Sequence, residues 1–319
     1  MLTIYWSDSH APMQWQPGAA LPPAAPLWLD LIDPSDAERA QAESLLGTKL
    51  PTRDQTSSLE LSSRMRGDAT TLRLNLPAFV RAEHGQGMMT PLALVLTPQQ
   101  LASVRYADSL AFNAIDHAMR SADAPRNSVN LFVALLETIV NVGADRLQEI
   151  AADLSRQSRS IFSESRDHSR QLRGALFKVG RMQRQVTQIR LAMLGTERIV
   201  TWLRDGAPDW LGADAHARLC IVHTDIGALT EFDQQLNDRI QFLLDAVLGF
   251  INNDQNDIMK VLTVITVVTI PPMILAGIWG MNFKSIPEYN WEHGYAFGLT
   301  MIALSMLLPL AWFRWKKWV

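Results

Sequence analysis

Apolar and polar positions divide the chain into stretches of different period. Over the first hundred or so residues, short apolar runs at 2–6, 27–32, 71–80 and 92–97 alternate with turn signals such as Pro22-Pro23, Pro77 and Pro91. Runs of that length between turn residues predict strands. Asp33-Pro34-Ser35, ahead of an Ala/Glu/Leu stretch that closes at Leu46 and Gly47, reads as a capped helix, so this part is α/β. From about Ser128 the pattern lengthens to helical periodicity rich in Leu, Ala, Gln and Arg. One helix is expected from Ser128 into the 153–165 region and a second from about His168 to Leu203. Asp205-Gly206-Ala207-Pro208 then breaks the chain.

The last sixty or so residues are different again. Between 261 and 279 no residue is charged, and at 1.5 Å per residue the stretch is roughly 28 Å long, near the hydrocarbon thickness of a bilayer. A second uncharged stretch covers 294–313, and the short polar loop between them holds Lys284, Glu288, Glu292 and His293. Two spans place both termini on one side. Lys260 before the first span and Arg314, Lys316 and Lys317 after the second make that side cytoplasmic by the positive-inside bias, with the loop facing outward. Trp279, Trp291, Trp312, Trp315 and Trp318 fall near the expected interfaces. No basic region followed by an apolar core opens the chain, so the large N-terminal part is expected in the cytoplasm.

Composition fits this division. Of 319 residues 48% are hydrophobic, an excess concentrated at the C-terminal end, and the remainder is long enough to bury its own core. A net charge of -3 argues against a nucleic-acid partner. The single Cys220 cannot form an intrachain disulfide and is expected to be a buried thiol in a reducing compartment. No Cys/His cluster, nucleophile elbow, P-loop or dinucleotide fingerprint occurs, so nothing points to an enzyme or to a bound cofactor. Polar residues of the first hundred positions read as solvated surface. Further on, charge sorts by helix: Arg170, Arg173, Lys178, Arg181, Arg184 and Arg190 precede the break, and Asp209, Asp214, Asp225, Glu231, Asp233, Asp238 and Asp245 follow it. Oppositely charged helices packed side by side would explain that sorting.

Two spans alone could be an anchor. The face reached from Asn256 in steps of three and four is Asp245, Leu248, Asn252, Asn256, Met259, Leu262 or Thr263, Thr266, Ile270 and Met273. Steps averaging near 3.5 make a coiled-coil seam, so this face should meet its own copies around a symmetry axis. Asn252, Asn256 and Thr266 would then form rings of neutral oxygen. Mg²⁺ sheds its inner waters reluctantly, and neutral acceptors for those waters suit it. Apolar rings at Met259, Ile270 and Met273 could close by dewetting. Periodicity leaves a packed seam without a lumen equally open.

At the end of the first span the chain reads Trp279-Gly280-Met281-Asn282-Phe283, then Ile286-Pro287-Glu288-Tyr289-Asn290-Trp291 and Gly294-Tyr295, and it closes Lys316-Lys317-Trp318-Val319. This resembles the CorA family of magnesium channels, whose signature is Gly-Met-Asn followed by a Met-Pro-Glu-Leu-like loop. The likeness is tight from about Asn252 onward. It implies a funnel-shaped homopentamer: a cytoplasmic α/β domain over 1–127, long helices including a stalk over 128–258, a pore-lining span at 259–280, an outward loop at 281–293, a second span at 294–313 and a basic tail at 314–319. Gly280, Met281 and Asn282 would form the outer selectivity ring, Asn282 holding hydrated Mg²⁺ and the loop around Glu288 concentrating cations at the mouth. Asp245, Asn256, Met259 and Ile270 fall on the family's pore face, with Ile270 replacing the methionine of some relatives. Where some relatives carry Arg-Asp-x-x-Asp-His on the stalk, this chain has Arg218-Leu219-Cys220-Ile221-Val222-His223. Closure by regulatory Mg²⁺ would then fall to Asp225, Asp214 or Asp245, or be weak. The expected activity is uptake of Mg²⁺, and of Co²⁺ or Ni²⁺, across an inner membrane. The alternatives are a proton-coupled zinc transporter of the ZntB type, whose loop is less like Pro287-Glu288, and a membrane-anchored sensor that conducts nothing.

Overall fold

The computed structural model of the protein describes residues 1–7, 12–57, 65–81, 87–121, 124–162, 168–281, 291–316 and 318. Its strands are β1 (Leu2–Tyr5), β2 (Met13–Trp15), β3 (Trp28–Ile32), β4 (Met65–Gly67), β5 (Leu72–Arg81), β6 (Gly87–Leu96) and β7 (Leu101–Arg105). The helices are α1 (Asp36–Leu46), α2 (Arg53–Ser57), α3 (Leu110–Met119), α4 (Ser128–Ile161), α5 (His168–Gly206), α6 (Ala213–Trp279) and α7 (Gly294–Trp315), with a 3₁₀ turn at Asp209–Leu211. The chain divides into two units, Met1–Ser163 with Phe177–Leu243 and Glu164–Leu176 with Leu244–Val319.

In the first unit the strands form one sheet of order β2-β1-β3-β7-β6-β5-β4. Only β3 and β7 pair in parallel. Strand alternation sends Leu2, Ile4, Leu29, Leu31, Ala102 and Val104 to one face, where they pack with Ala42 and Leu46 of α1. Trp28, Asp30, Ser103 and Arg105 point to the other face. There Trp28 Nε1 donates to Ser103 Oγ at 2.9 Å, Ser103 Oγ donates to Asp30 Oδ1 at 2.7 Å, and Arg105 Nη2 donates to Asp30 Oδ2 at 2.8 Å. Tyr5 stacks on Trp28 with centroids 4.4 Å apart, and the Arg105 guanidinium lies over Phe112 of α3. This network corrects the expectation that polar residues here are solvated surface. Asp30 and Arg105 are buried because each satisfies the other's charge and hydrogen bonds.

Pro77 and Pro91 do not interrupt the sheet; they oppose each other in the β5–β6 register. Neither nitrogen can donate, so the pair is of the non-hydrogen-bonded kind, with its nitrogens directed outward. On the β6 side that level is open, because β7 begins to pair at Leu92.

Three long helices complete this unit. α4 and α6 run parallel, tied by Arg218 and Glu137 near one end and by stacked Phe162 and Phe242 rings at 6.2 Å near the other. Charge sorting between α5 and α6 is realised only once among the described residues, by Arg190 and Asp233 at 3.5 Å. Arg173, Lys178, Arg181 and Arg184 stay on an exposed face. Cys220, expected to be buried, is half-buried at the flank of α6.

Among the described residues three helices are long and apolar enough to cross a membrane: α4, α6 and α7. The apolar window of α4 is 44% buried inside its own fold, against 11% for α6 and 6% for α7. Leu131, Phe132, Leu135 and Leu136 of α4 are core side chains, which explains its hydropathy without a bilayer. In the second unit, Val264 and Val268 of α6 pack against Phe313 and Leu310 of α7.

Candidate membrane pathway along the long helix

Residues 244–279 belong to one continuous helix, and its two sides differ. Val247, Val264 and Val268 are buried, whereas Asp245, Leu248, Asn252, Asn256, Met259, Leu262, Thr266, Ile270 and Met273 are all exposed. Between 261 and 279 the only polar side chains are Thr263, Thr266 and Thr269, and all three are exposed. Steps of three residues on a helix of 3.6 per turn keep them within about a third of the circumference, on the side away from Val264 and Val268. Each hydroxyl donates to the carbonyl four residues back: Thr263 to Met259 at 2.7 Å, Thr266 to Leu262 at 2.8 Å and Thr269 to Ile265 at 2.7 Å. With its proton so committed, a threonine oxygen presents only acceptor lone pairs outward. Such a stripe can accept hydrogen bonds from the waters of a hydrated cation while holding no net charge.

The helix passes through Pro271 and Pro272 without ending. It closes at Gly280, whose N–H still reaches Ala276 O at 3.0 Å, and Met281 N–H donates to Ile278 O at 3.3 Å. A Cβ on Gly280 would stand 3.2 Å from Ala276 O, closer than most side chains tolerate. Met281 is exposed. Asn282, Lys284 and Glu288 lie outside the described residues, as does Lys317. Lys260, just before the uncharged stretch, pairs with Asp257 at 2.8 Å.

Of the candidate regulatory carboxylates, Asp214, Asp225 and Asp245 are all exposed. Asp214 borders an open cleft of about 430 Å³ lined also by Asn127, Asn130 and Trp210. Among the described residues no three His, Cys, Asp or Glu side chains gather as a metal site would need. Arg218 is engaged with Glu137, through Nε at 2.9 Å and Nη2 at 2.6 Å, and that hydrogen bonding raises its pKa. Leu219 and Val222 are core residues, and His223 Nδ1 is buried with no hydrogen-bond partner among the described residues.

Sequence reasoning missed Asp233, whose pKa burial pushes up against the opposing pull of Arg190. A signal existed. Leu219, Val222, Ile226, Asp233, Leu236, Ile240, Leu243 and Val247 form a buried stripe at steps of three, four and seven, and Asp233 is its one acid.

A mixed sheet, helices able to cross a membrane and an exposed line of neutral oxygens define a class: a membrane protein with a large domain built on a sheet and long helices. Within it the chain belongs to the CorA family, since the profile described as "CorA-like Mg2+ transporter protein" matches residues 23–317. It is 30% identical over 294 residues to the magnesium transport protein CorA of Salmonella typhimurium, covering 92% of each chain. Its fold matches the complete structure of the CorA magnesium transporter from Methanocaldococcus jannaschii with a TM-score of 0.73 at 16% identity, over 100% of this chain and 98% of that one. The cytoplasmic domain of ZntB from Vibrio parahaemolyticus matches at a TM-score of 0.52 and 15% identity, over 80% of this chain and 96% of that one. The family resemblance drawn from Gly280-Met281-Asn282 is thereby met.

Proposed function

We propose that this chain is a Mg²⁺ uptake channel of the inner membrane, working as a homopentamer with two spans per copy. In this reading residues 259–280 of α6 line the pore, α7 lies outside them, and both termini are cytoplasmic. Asp245, Leu248, Asn252, Asn256, Met259, Leu262, Thr266, Ile270 and Met273 face the lumen. Gly280, Met281 and Asn282 form the outer selectivity ring, Asn282 holds hydrated Mg²⁺, and Glu288 draws cations to the mouth. Mg²⁺ is the cargo, and Co²⁺ and Ni²⁺ follow the same path. Asp245 and Asp225 are the regulatory candidates.

The observation that carries this reading is the placement of all three threonines of the 261–279 stretch on the exposed side away from Val264 and Val268. Lipid offers these hydroxyls nothing to bind beyond their own helix. A lumen shared with other copies gives them hydrated ions.

Purified protein in proteoliposomes should take up Mg²⁺ under a negative-inside potential, and Asn282→Ala should abolish selective uptake. Zn²⁺ flux that rises with an inward proton gradient, without Mg²⁺ flux, would assign the chain to the ZntB type. Well-folded oligomers that pass no divalent ion would leave the anchored sensor.

A further inference from the structure

Trp279 is the last residue of α6, directly before Gly280, and Trp291 stands ahead of α7 at the other end of the same connection. Both meet one ring. Phe297 lies edge-on to Trp279 with centroids 6.4 Å apart at 65°, and edge-on to Trp291 at 5.6 Å and 69°. The indole of Trp279 also lies beside Gly298 of α7, at a distance that leaves room for no more than a methyl group. A Cβ built there would stand 3.5, 3.6 and 3.9 Å from Cζ3, Cε3 and Cη2 of that ring. Trp291 O accepts from Gly294 N–H at 3.1 Å, and His293 O accepts from Phe297 N–H at 3.0 Å, so Trp291 and Phe297 are both tied to the first turn of α7.

We propose that Phe297 is a positioning residue for the Gly280-Met281-Asn282 segment, clamping Trp279 and Trp291 and so holding the two ends of the connection that contains it. The inference rests on the transport reading of that segment. A tryptophan that only anchors at a membrane interface needs no particular partner. Here two tryptophans from the two ends of one connection converge on one phenylalanine. Edge-to-face pairs are directional, so they hold orientation where aliphatic contact would hold only proximity. A selectivity ring that reads a hydrated ion needs its oxygens placed to within a fraction of an ångström.

Four substitutions separate the clamp from simple stability. Gly298→Ala adds a methyl at ordinary contact distance, whereas Gly298→Leu drives the indole away. Phe297→Tyr keeps the ring, and Phe297→Leu keeps apolar volume without it. In proteoliposomes, normalised to assembled protein, Phe297→Leu and Gly298→Leu should each raise the KM for Mg²⁺ or lower the Mg²⁺/Ca²⁺ uptake ratio by roughly threefold to tenfold. Phe297→Tyr and Gly298→Ala should stay within about twofold of the parent. A purely structural role would lower the yield of assembled protein and leave both quantities unchanged.

Spin labels at Met281 and Glu292, in a Cys220→Ser background, give a readout independent of flux. Their distance distribution should broaden in Phe297→Leu and Gly298→Leu. Unchanged KM, unchanged selectivity and an unchanged distribution in either leucine variant that assembles would overturn the clamp. A parent protein that conducts nothing, with the broadening still seen in the leucine variants, would remove the transport reading and keep the clamp as a positioning device of the connection.

Discussion

Asp233 occupies a core position, 2% exposed, yet neither carboxylate oxygen accepts a hydrogen bond among the described residues. Its one charged neighbour, Arg190, is half-exposed and 3.5 Å away, too far to replace lost hydration. Charged groups of α4 at this level, Arg146 with Glu149 and Asp153 with Arg156, are closed on themselves. Burial therefore raises the Asp233 pKa, and the folded chain binds this proton more tightly than the unfolded chain does. Stability from this group is fully present below the unfolded carboxylate pKa of about 3.9 and is lost as pH rises through the raised folded value. Asp233→Asn should accordingly raise the melting temperature at pH 8 and leave it nearly unchanged near pH 4. An Asp233→Asn gain no larger at pH 8 than at pH 4 would contradict this. Asp233 was legible in principle, because its stripe is regular. Taking the acids after residue 208 together as one charged group hid the one that faces inward. Asp30 and Arg105 were less accessible, since they become partners only when β3 and β7, seventy residues apart, pair in parallel.

The packing of the elements turns on two glycines with different neighbours. At Gly143 of α4, a Cβ would fall 1.8 Å from Cε of Met193, the free end of a flexible side chain. At Gly195 of α5, it would fall 2.6 Å from Cδ of Pro77, in a rigid ring fixed in β5. Methionine can swing aside; the proline cannot, so α5 itself must retreat from the sheet. Gly143→Ala should cost less than about 1 kcal/mol, and Gly195→Ala about 1–3 kcal/mol, in chemical or thermal unfolding of the intact protein. Equal costs would mean that α5 is free to shift on β5. Local chemistry decided which elements could be read without a structure. The α1 cap was visible in Asp33-Pro34-Ser35, and it is a capping box in which Glu38 Oε2 accepts from Ser35 N–H at 2.9 Å. The long helices α4 and α5 followed from periodicity alone. β2 and β4, of three residues each, carry no period and exist only through their partners. β7 was masked by Ser103 and Arg105, whose polarity suits the buried network and not a generic strand.

For the whole molecule, the question that the proposed channel raises is how cytoplasmic Mg²⁺ would close it. The resemblance to relatives with an Arg-Asp-x-x-Asp-His run places the two acids at Leu219 and Val222 here. Those positions are 0% and 2% exposed, packed in the core of the first unit. A carboxylate introduced there would be buried without a partner, and no metal bridging two copies could reach it. Arg218 is also no longer available, because its guanidinium is held in a two-point contact by Glu137. The regulatory task, where it exists, passes to acids that are exposed on α6, Asp225 and Asp214. Exposed single carboxylates bind Mg²⁺ weakly, since the ion keeps most of its waters. Inside-out vesicles should therefore need roughly tenfold more cytoplasmic Mg²⁺ for half-inhibition than vesicles carrying a relative with the acidic run, corresponding to the loss of about 1.4 kcal/mol of differential binding. Asp225→Asn with Asp214→Asn should weaken inhibition further while leaving uptake at low cytoplasmic Mg²⁺ intact. Tight inhibition that survives both substitutions would place the sensor elsewhere, and Asp245, exposed on the proposed pore face, would be the next residue to change.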